Sequence, residues 1–180
     1  MIERIIENWL INSTERMYQI PFCQVLCLKG YKVLHLSSHG VTEHGKDIIA
    51  KDAKGIPCAF QLKTGDIPSS AWRRIFGEIT ELVEYPIDHP SIDPSRMHRA
   101  ILVTNGKITD DVRTKITALN RGYRRRDLPR LELVTKEDLL HDFINSQGSF
   151  LPNEPKEIQD FLELYMSDGK ANIEEHNCPV

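Results

Sequence analysis

The sequence predicts an α/β domain in which a mixed central sheet of about five strands is flanked by α-helices. Short apolar runs bounded by glycine and charged residues predict the strands, as is typical of segments buried within a sheet. Longer segments with apolar residues at helical spacing alternate with these runs. The chain of 180 residues is long enough for one domain with a sizeable core and additional segments at its ends.

The first 30 residues predict two helices. Residues 2–12 place their apolar side chains on one stripe, and Asn12-Ser13-Thr14 supplies an N-cap for a second helix over about 14–29 that ends at Gly30. Pro21 removes a backbone donor from this second helix, so we expect it to kink or split near Gln19.

Three strands follow, and the last two are expected to pair. Residues 32–37 form the first apolar run, and residues 47–50 and 56–60 form the next two. The turn over residues 51–55 is short enough to join the second and third runs as an antiparallel hairpin.

The second half of the chain alternates helices and strands up to about residue 146. The predicted order is a helix over 70–85, a loop over 86–97, a strand over 99–104, a helix capped by Thr109, a strand over 131–134 and a helix opened by a Thr135-x-x-Asp138 capping box. Residues 147–180 predict a linker, a short helix over about 156–167 and a polar tail. The domain is therefore expected to span residues 1–146, with the first helix as an appendage.

Composition and charge argue against several classes of protein. Hydrophobic residues make up 40% of the chain and charged residues 27%, and no apolar run is long enough to span a membrane. The net charge of −3 argues against a generally basic nucleic-acid-binding surface, so any DNA contact requires a local patch. The four cysteines lack Cys-x-x-Cys spacing and are expected to be reduced thiols. We expect a cytoplasmic protein.

Three polar residues lie at one end of the predicted hairpin. Asp47 opens its first strand, and Gln61 and Lys63 close its second. Because side chains alternate along a strand, Gln61 and Lys63 lie on one face, and antiparallel pairing brings Asp47 beside them. The convergence of a carboxylate, an amide and an ammonium is one of two things, and a functional site is the first interpretation. The alternative is a solvated ion pair at the strand ends, which contributes little to stability.

Three short motifs follow one another as Gly30-Tyr31, Gly45-Lys46-Asp47-Ile48-Ile49 and Gln61-Leu62-Lys63. In their order and spacing the chain resembles the PD-(D/E)XK nuclease superfamily, and most closely its Mrr-like restriction endonuclease branch, over about residues 14–145. The resemblance implies a restriction-endonuclease-like fold, metal-dependent hydrolysis of DNA phosphodiester bonds and a role in bacterial defence against foreign DNA.

The resemblance also implies roles for the hairpin residues. Asp47 would be the central ligand of Mg²⁺ or Mn²⁺, which prefer oxygen ligands. Gln61 stands where the superfamily usually has Asp or Glu, and its amide can give a carbonyl oxygen to the metal but cannot act as a general base. The backbone carbonyl of Leu62 would complete the protein ligands. Lys63 would position the attacking water or stabilise the charge that develops on the phosphate.

A further acid is expected from the helix before the first strand. Glu15 is the nearest carboxylate and would be an additional catalytic metal ligand. The other interpretation is a first-turn acid stabilised by the helix dipole. Gln19, one turn later, lies closer to the spacing that the resemblance implies, so the choice between the two stays open.

Histidines and arginines are candidates for further contacts. His35, His39 and His44 lie near the hairpin, but their spacing matches no helical pair, and zinc is the less favoured interpretation. His44 is instead a candidate phosphate contact or an exposed loop residue. Residues 121–130 predict either a DNA-binding patch or a solvated loop whose arginines balance nearby acids. The candidate DNA-binding arginines are Arg73, Arg74, Arg121, Arg124, Arg125 and Arg126.

Together these observations predict a Mg²⁺-dependent endodeoxyribonuclease that acts on double-stranded DNA. A double-strand cut needs two sites, so we expect a homo-oligomer (a dimer or larger) or a place in a longer multidomain chain. The alternative, which the amide of Gln61 favours, is a non-catalytic nucleic-acid-binding or assembly module on a nuclease fold. A third interpretation keeps the chemistry but has RNA or a branched junction as substrate.

Overall fold

A computed structural model describes residues 2–37 and 45–150 of the protein, and their helices and strands confirm the α/β class. The helices are α1 (Ile2–Asn12), α2 (Glu15–Leu28), α3 (Ser69–Glu84), α4 (Asp110–Arg125) and α5 (Lys136–Phe150). The strands are β1 (Lys32–Leu36), β2 (Ile48–Lys51), β3 (Pro57–Lys63), β4 (Arg99–Thr104) and β5 (Leu131–Val134).

The strands form one mixed sheet in the order β1-β2-β3-β4-β5. β2 is antiparallel to β1 and to β3, and the pairing of Ile48 with Phe60 confirms the predicted hairpin. β4 is parallel to β3 and β5, and α3 and α4 provide the crossovers that parallel strands require. Because β3 and β4 are parallel, their last residues, Lys63 and Thr104, lie side by side at one end of the sheet.

Helices cover both faces of the sheet. Ala59 of β3 belongs to a core that includes Trp72 and Ile79 of α3. The next residue, Phe60, points to the opposite face, where its ring meets that of Phe22 on α2 edge-on at 5.7 Å. Burial of apolar surface at roughly 25 cal/mol per Å² is the main force that holds the layers together. None of the helices within the described ranges is both long and apolar enough to cross a bilayer.

Helix α2 is continuous along its whole length, so the expected split at Pro21 does not occur. Proline removes the donor for the carbonyl four residues earlier, at Met17. Met17 lies on the exposed side of the helix, where water can satisfy that carbonyl. On the opposite side, buried Tyr18 and Phe22 hold the helix against the sheet.

Several element ends differ from the sequence prediction by a few residues, and β3 covers Pro57–Lys63 where the predicted apolar run is 56–60. β1 ends at Leu36, and α5 continues to Phe150 instead of ending near residue 146. The predicted helix over 156–167 and the polar tail lie outside the described residues. The division into a domain over 1–146 and a terminal segment stays a prediction.

Thr135 and Thr109, two of the predicted helix caps, use different chemistry, and the N-cap residue Thr14 makes no side-chain cap bond. Thr135 N donates to Asp138 Oδ2 at 2.8 Å, which is the backbone half of the predicted capping box. Thr109 precedes α4, but its hydroxyl bonds to the carboxylate of Asp111 and makes no cap bond to the helix backbone. The start of α4 is therefore stabilised by first-turn acids more than by a threonine cap.

Candidate active site

Asp47 is placed by the two strands that flank it. Its N–H donates to Phe60 O on β3 at 2.8 Å, and its carbonyl accepts from Ser37 N after β1 at 2.7 Å. Its side chain turns towards β3, where Oδ2 accepts a hydrogen bond from Leu62 N at 2.6 Å. The carboxylate thus takes the place of a backbone acceptor at the point where the regular ladder of β2 ends.

Gln61 is buried beside Asp47, with 4% of its surface exposed. Its Nε2 donates to Asp47 Oδ2 at 2.9 Å, so the predicted meeting of these two side chains occurs. Its Oε1 is buried and has no hydrogen-bond partner within the described part of the chain. Because an unpaired buried acceptor costs about 1–3 kcal/mol, a cation or a water molecule at Oε1 would stabilise this arrangement.

Gly45 brings the chain before Asp47 close to both Gln61 and α3. Its φ of 68° lies in the left-handed region, which favours glycine. A Cβ at this position would lie 2.6 Å from Glu78 O and 3.1 Å from Gln61 Oε1. The glycine of this motif is therefore required by a close approach of backbone to backbone.

Lys63 is held from both faces of the sheet. Its Nζ forms an ion pair with Glu78 Oε2 of α3 at 2.6 Å, and 17% of the lysine side chain is exposed. Its backbone carbonyl accepts a hydrogen bond from Tyr18 Oη of α2 at 2.8 Å. An ammonium that is fixed in this way suits the stabilisation of anionic charge.

Glu15 and Gln19 of α2 contact the backbone of the same two segments. Glu15 Oε1 accepts a hydrogen bond from Thr64 N at 3.2 Å, and Gln19 Nε2 donates to Asp47 O at 3.3 Å. Both predicted alternatives therefore lie at this end of the sheet. Gln19 uses its amino group, so it is a donor to the site and not an oxygen ligand in this arrangement.

The oxygen donors at this end match the chemistry of a hard divalent cation. The carboxylate of Asp47, the amide of Gln61 and the backbone of Leu62 are neighbours. The N–H and the carbonyl of one strand residue face the same side, so the Leu62 carbonyl faces the side of Asp47, as its N–H does. Mg²⁺ accepts one or two carboxylates and keeps several waters. Gln61, however, presents its amino group to Asp47, so its amide must turn over before Oε1 can face a cation bound there.

The zinc interpretation gains no support from the histidine that the structure places. His35 lies on β1, whereas His39 and His44 are outside the described residues. Within residues 2–37 and 45–150, no group of three His, Cys, Asp or Glu side chains is arranged to hold a metal ion. The phosphate contact of His44 stays a prediction.

Arg73 and Arg74 lie near the candidate site. Both are exposed on the early part of α3, a helix that begins shortly after Lys63. They therefore lie towards the end of the sheet that carries the hairpin residues, as expected for contacts to a phosphate backbone.

The larger arginine cluster lies at the other end of the sheet. α4 runs back from the carboxyl end of β4 to the start of β5, so its 16 residues span roughly 24 Å away from the site. Arg126 follows the helix and pairs with Glu84, the last residue of α3, at 2.9 Å. These arginines belong to a helix and not to the loop of the alternative prediction, and the exposed members on it are Arg121, Arg124 and Arg125.

Lys46, which precedes Asp47, buries its side chain against the last turns of α3. It is 3% exposed, and its Nζ lies 3.5 Å from Glu81 O. Burial lowers the pKa of the ammonium to about 8, although the carboxylate of Glu81 acts in the opposite direction. His98 is also buried, with Nε2 2.8 Å from Leu82 O, and burial lowers its pKa. Two buried bases thus pack against the carbonyl end of this helix.

The sequence did not predict Tyr18 or Glu78 as part of the site. Each belongs to an amphipathic helix and to no motif, so neither is marked as a functional residue by the sequence. Tyr18 could have been found by its spacing, because it lies on the same helical face as Glu15 and Gln19. Glu78 carries no comparable signal.

Fold and site together define an α/β protein with a carboxylate, an amide and a lysine at one end of a hairpin. No protein-family model and no curated protein sequence matches the chain. Among solved structures it is similar to a protein described as "DNA modification-dependent restriction endonuclease AspBHI", with a TM-score of 0.39 and 15% sequence identity. The similarity covers 90% of this chain and 40% of that chain, so the present chain spans less than half the length of that protein.

Proposed function

We propose that this chain is a metal-dependent DNA endonuclease whose active site is built on Asp47, Gln61 and Lys63. The observation that carries the proposal is the convergence of these residues at one end of the hairpin. Asp47 Oδ2 lies 2.9 Å from Gln61 Nε2, and Lys63 follows on the same face of β3. This arrangement provides an anionic ligand and a cation at the same end of the sheet, which suits metal-dependent phosphodiester hydrolysis.

A bound Mg²⁺ or Mn²⁺ would lower the pKa of a water molecule and polarise the scissile phosphate. Asp47 would hold the ion, together with Gln61 Oε1 and the backbone carbonyl of Leu62. Glu15 is the proposed additional carboxylate. Its Oε1 accepts from Thr64 N, one residue beyond Lys63, which keeps the acid at the same end of the sheet.

Lys63 would stabilise the negative charge that develops on the phosphate. The ammonium is already oriented by Glu78, so it needs no large rearrangement to meet an anion. The incoming phosphate would take the place of this carboxylate. In this proposal Lys63 acts as a charged group and the proton of the attacking water passes to solvent or phosphate.

Double-stranded DNA is the proposed substrate, bound in the cytoplasm as part of bacterial defence against foreign DNA. Cleavage of both strands needs two sites, supplied by a homo-oligomer or by a longer multidomain assembly. The proposed DNA-contacting residues near the site are Arg73, Arg74 and His44. The cluster on and after α4 would contact DNA away from the cut, and it consists of Arg121, Arg124, Arg125 and Arg126.

A second candidate function is a non-catalytic nucleic-acid-binding or assembly module. The orientation of Gln61 favours it, because an amino group that faces Asp47 satisfies the carboxylate without any metal. This candidate predicts DNA binding that requires neither a divalent ion nor Asp47.

Plasmid cleavage tests the two candidates. Wild type is compared with Asp47→Ala and Lys63→Ala in Mg²⁺, in Mn²⁺ and in EDTA. Asp88→Ala and Lys54→Ala are matched controls, because they remove the same kinds of side chain from exposed positions outside the site. Thermal unfolding of every variant checks that the fold is kept.

Metal-dependent cutting that is lost in both site variants and kept in both controls supports the endonuclease. Cutting that persists in Asp47→Ala and Lys63→Ala contradicts the proposed site. Absence of cutting by wild type, combined with DNA binding in EDTA that Asp47→Ala retains, favours the binding module.

A further inference from the structure

One turn of α2 bonds to the main chain on both sides of the candidate site. Tyr18 Oη donates to Lys63 O at 2.8 Å, and Gln19 Nε2 donates to Asp47 O at 3.3 Å. Tyr18 is fully buried and Gln19 is 9% exposed. The two acceptors belong to the residues that supply the carboxylate and the ammonium.

Both residues lie at the ends of their strands, although neighbouring strands also hold Asp47 through its bonds to Ser37 and Phe60. β2 begins at Ile48, so Asp47 lies just outside the strand, and Lys63 is the last residue of β3. Strand ends open more easily than strand centres because they have fewer neighbours. The bonds from α2 are therefore made at strand ends, where they add to the main-chain bonds of the sheet.

The bonds also join segments that are distant in sequence. Both donors project from adjacent positions on one rigid helix, so the distance between their acceptors is tied to the helix geometry. Buried hydrophobic contacts, such as that of Phe22 with Phe60, keep this helix in place on the sheet. A displacement of either strand end requires loss of a partly buried hydrogen bond.

We propose that Tyr18 and Gln19 are positioning residues that set the spacing of the Asp47 carboxylate and the Lys63 ammonium through the main chain. Their effect on rate rests on the proposed nuclease function, whereas their effect on local geometry does not. Neither residue touches the substrate. A misplacement of about 1 Å at reacting groups can cost up to about 100-fold in rate, so modest loosening is sufficient to slow the reaction.

The test uses the full chain with Tyr18→Phe and Gln19→Met, which remove each donor and preserve most of the side-chain volume. Tyr123→Phe is the matched control, because Tyr123 is a buried tyrosine near the far end of α4. The first readout is kcat and KM for DNA cleavage in Mg²⁺. The second is amide hydrogen exchange by NMR without metal or DNA.

Exchange at Leu62 and Thr64 reports the local alignment. Leu62 N donates to Asp47 Oδ2 and Thr64 N donates to Glu15 Oε1, so both amides depend on the strand ends. We expect exchange there to rise about tenfold in the variants, while Ile101 and Leu102 in the middle of β4 keep their wild-type rates. We expect kcat to fall about tenfold with KM within about twofold of wild type.

An equal rise in exchange at Leu62 and in the middle of β4 would overturn the proposal, because it indicates a general loss of stability. Unchanged kcat in both variants of an active wild type would overturn it as well. If wild type does not cleave DNA but exchange rises only at Leu62 and Thr64, the nuclease function fails while the positioning role is supported.

Discussion

Lys63 and Glu78 form an ion pair of 2.6 Å that joins the end of β3 to α3. The carboxylate of Glu78 occupies the side of the ammonium that an incoming phosphate would need. Phosphate and carboxylate are both anions, so they compete for one cation. Under the proposed function, release of Glu78 would set part of the affinity of the site for DNA.

Glu78→Gln is expected to tighten DNA binding by about threefold to tenfold, because the neutral amide competes less well for Lys63. Fluorescence anisotropy with a DNA duplex at two salt concentrations measures this change. Glu3→Gln changes the net charge equally from an exposed position on α1 and is the control. Equal tightening by both variants would show that the effect comes from net charge alone.

Gln61→Glu is expected to destabilise the metal-free protein and to strengthen Mg²⁺ binding. A second carboxylate beside Asp47 loses the hydrogen bond from Nε2 and adds repulsion, which together cost about 1–3 kcal/mol. Mg²⁺ would offset the repulsion, so the difference in melting temperature between Mg²⁺ and EDTA should grow. Gln24→Glu, at an exposed position of α2, is the control. A melting temperature of Gln61→Glu that does not respond to Mg²⁺ would contradict a metal site here.

Lys46 is expected to make stability depend on pH between about 8 and 10.5. Its folded-state pKa of about 8 lies below the usual 10.5, so in this window the unfolded chain holds a proton that the folded chain has released. Stability therefore rises with pH across the window, by about 1–3 kcal/mol from this group. Urea unfolding at several pH values should show this rise in wild type and lose it in Lys46→Met. Lys54→Met, on an exposed turn, should behave as wild type. Identical pH profiles of stability for all three proteins would show that Lys46 is not the source of the pH dependence.

The double variant Arg124→Ala with Arg125→Ala is expected to weaken DNA binding without changing kcat. These arginines lie at the end of the sheet away from Asp47, so they can contact backbone phosphates but not the scissile group. The slope of log Kd against log salt should fall by about one for each arginine removed. Arg4→Ala with Arg96→Ala removes two exposed arginines elsewhere and is the control. A fall in kcat for the α4 pair alone would place this cluster nearer the chemistry than the fold indicates.

The sequence alone was sufficient where short-range rules decide the structure. The strands over 99–104 and 131–134 have the predicted bounds, because each is a short apolar run between polar turns. The approach of Asp47 to Gln61 follows from alternation and antiparallel pairing, and the structure brings their side chains to 2.9 Å. The orientation of the Gln61 amide could not be predicted, because it depends on which neighbouring atoms need a donor.

Contacts between the helices and the sheet could not be predicted from the sequence patterns. Pro21 does not split α2, since packing of buried neighbours outweighs the loss of one backbone donor. Tyr18 and Glu78 reach Lys63 from opposite faces of the sheet, and their positions depend on how two helices pack. The separation of the arginines into two groups likewise follows from the return path of α4 and not from their spacing in the chain.

The bonds from Tyr18 and Gln19 end on carbonyl oxygens of the main chain, which every residue type possesses. Replacement of the side chains at positions 47 and 63 therefore keeps both hydrogen-bond acceptors for α2. The carboxylate of Asp47 has a separate structural role, because its Oδ2 accepts hydrogen bonds from Leu62 N and Gln61 Nε2. Under the proposed function, a chain that carries Asp47→Asn would keep both bonds from α2 and the Lys63 ammonium while lacking the anionic metal ligand, and would be suited to trap an uncut duplex for structural work.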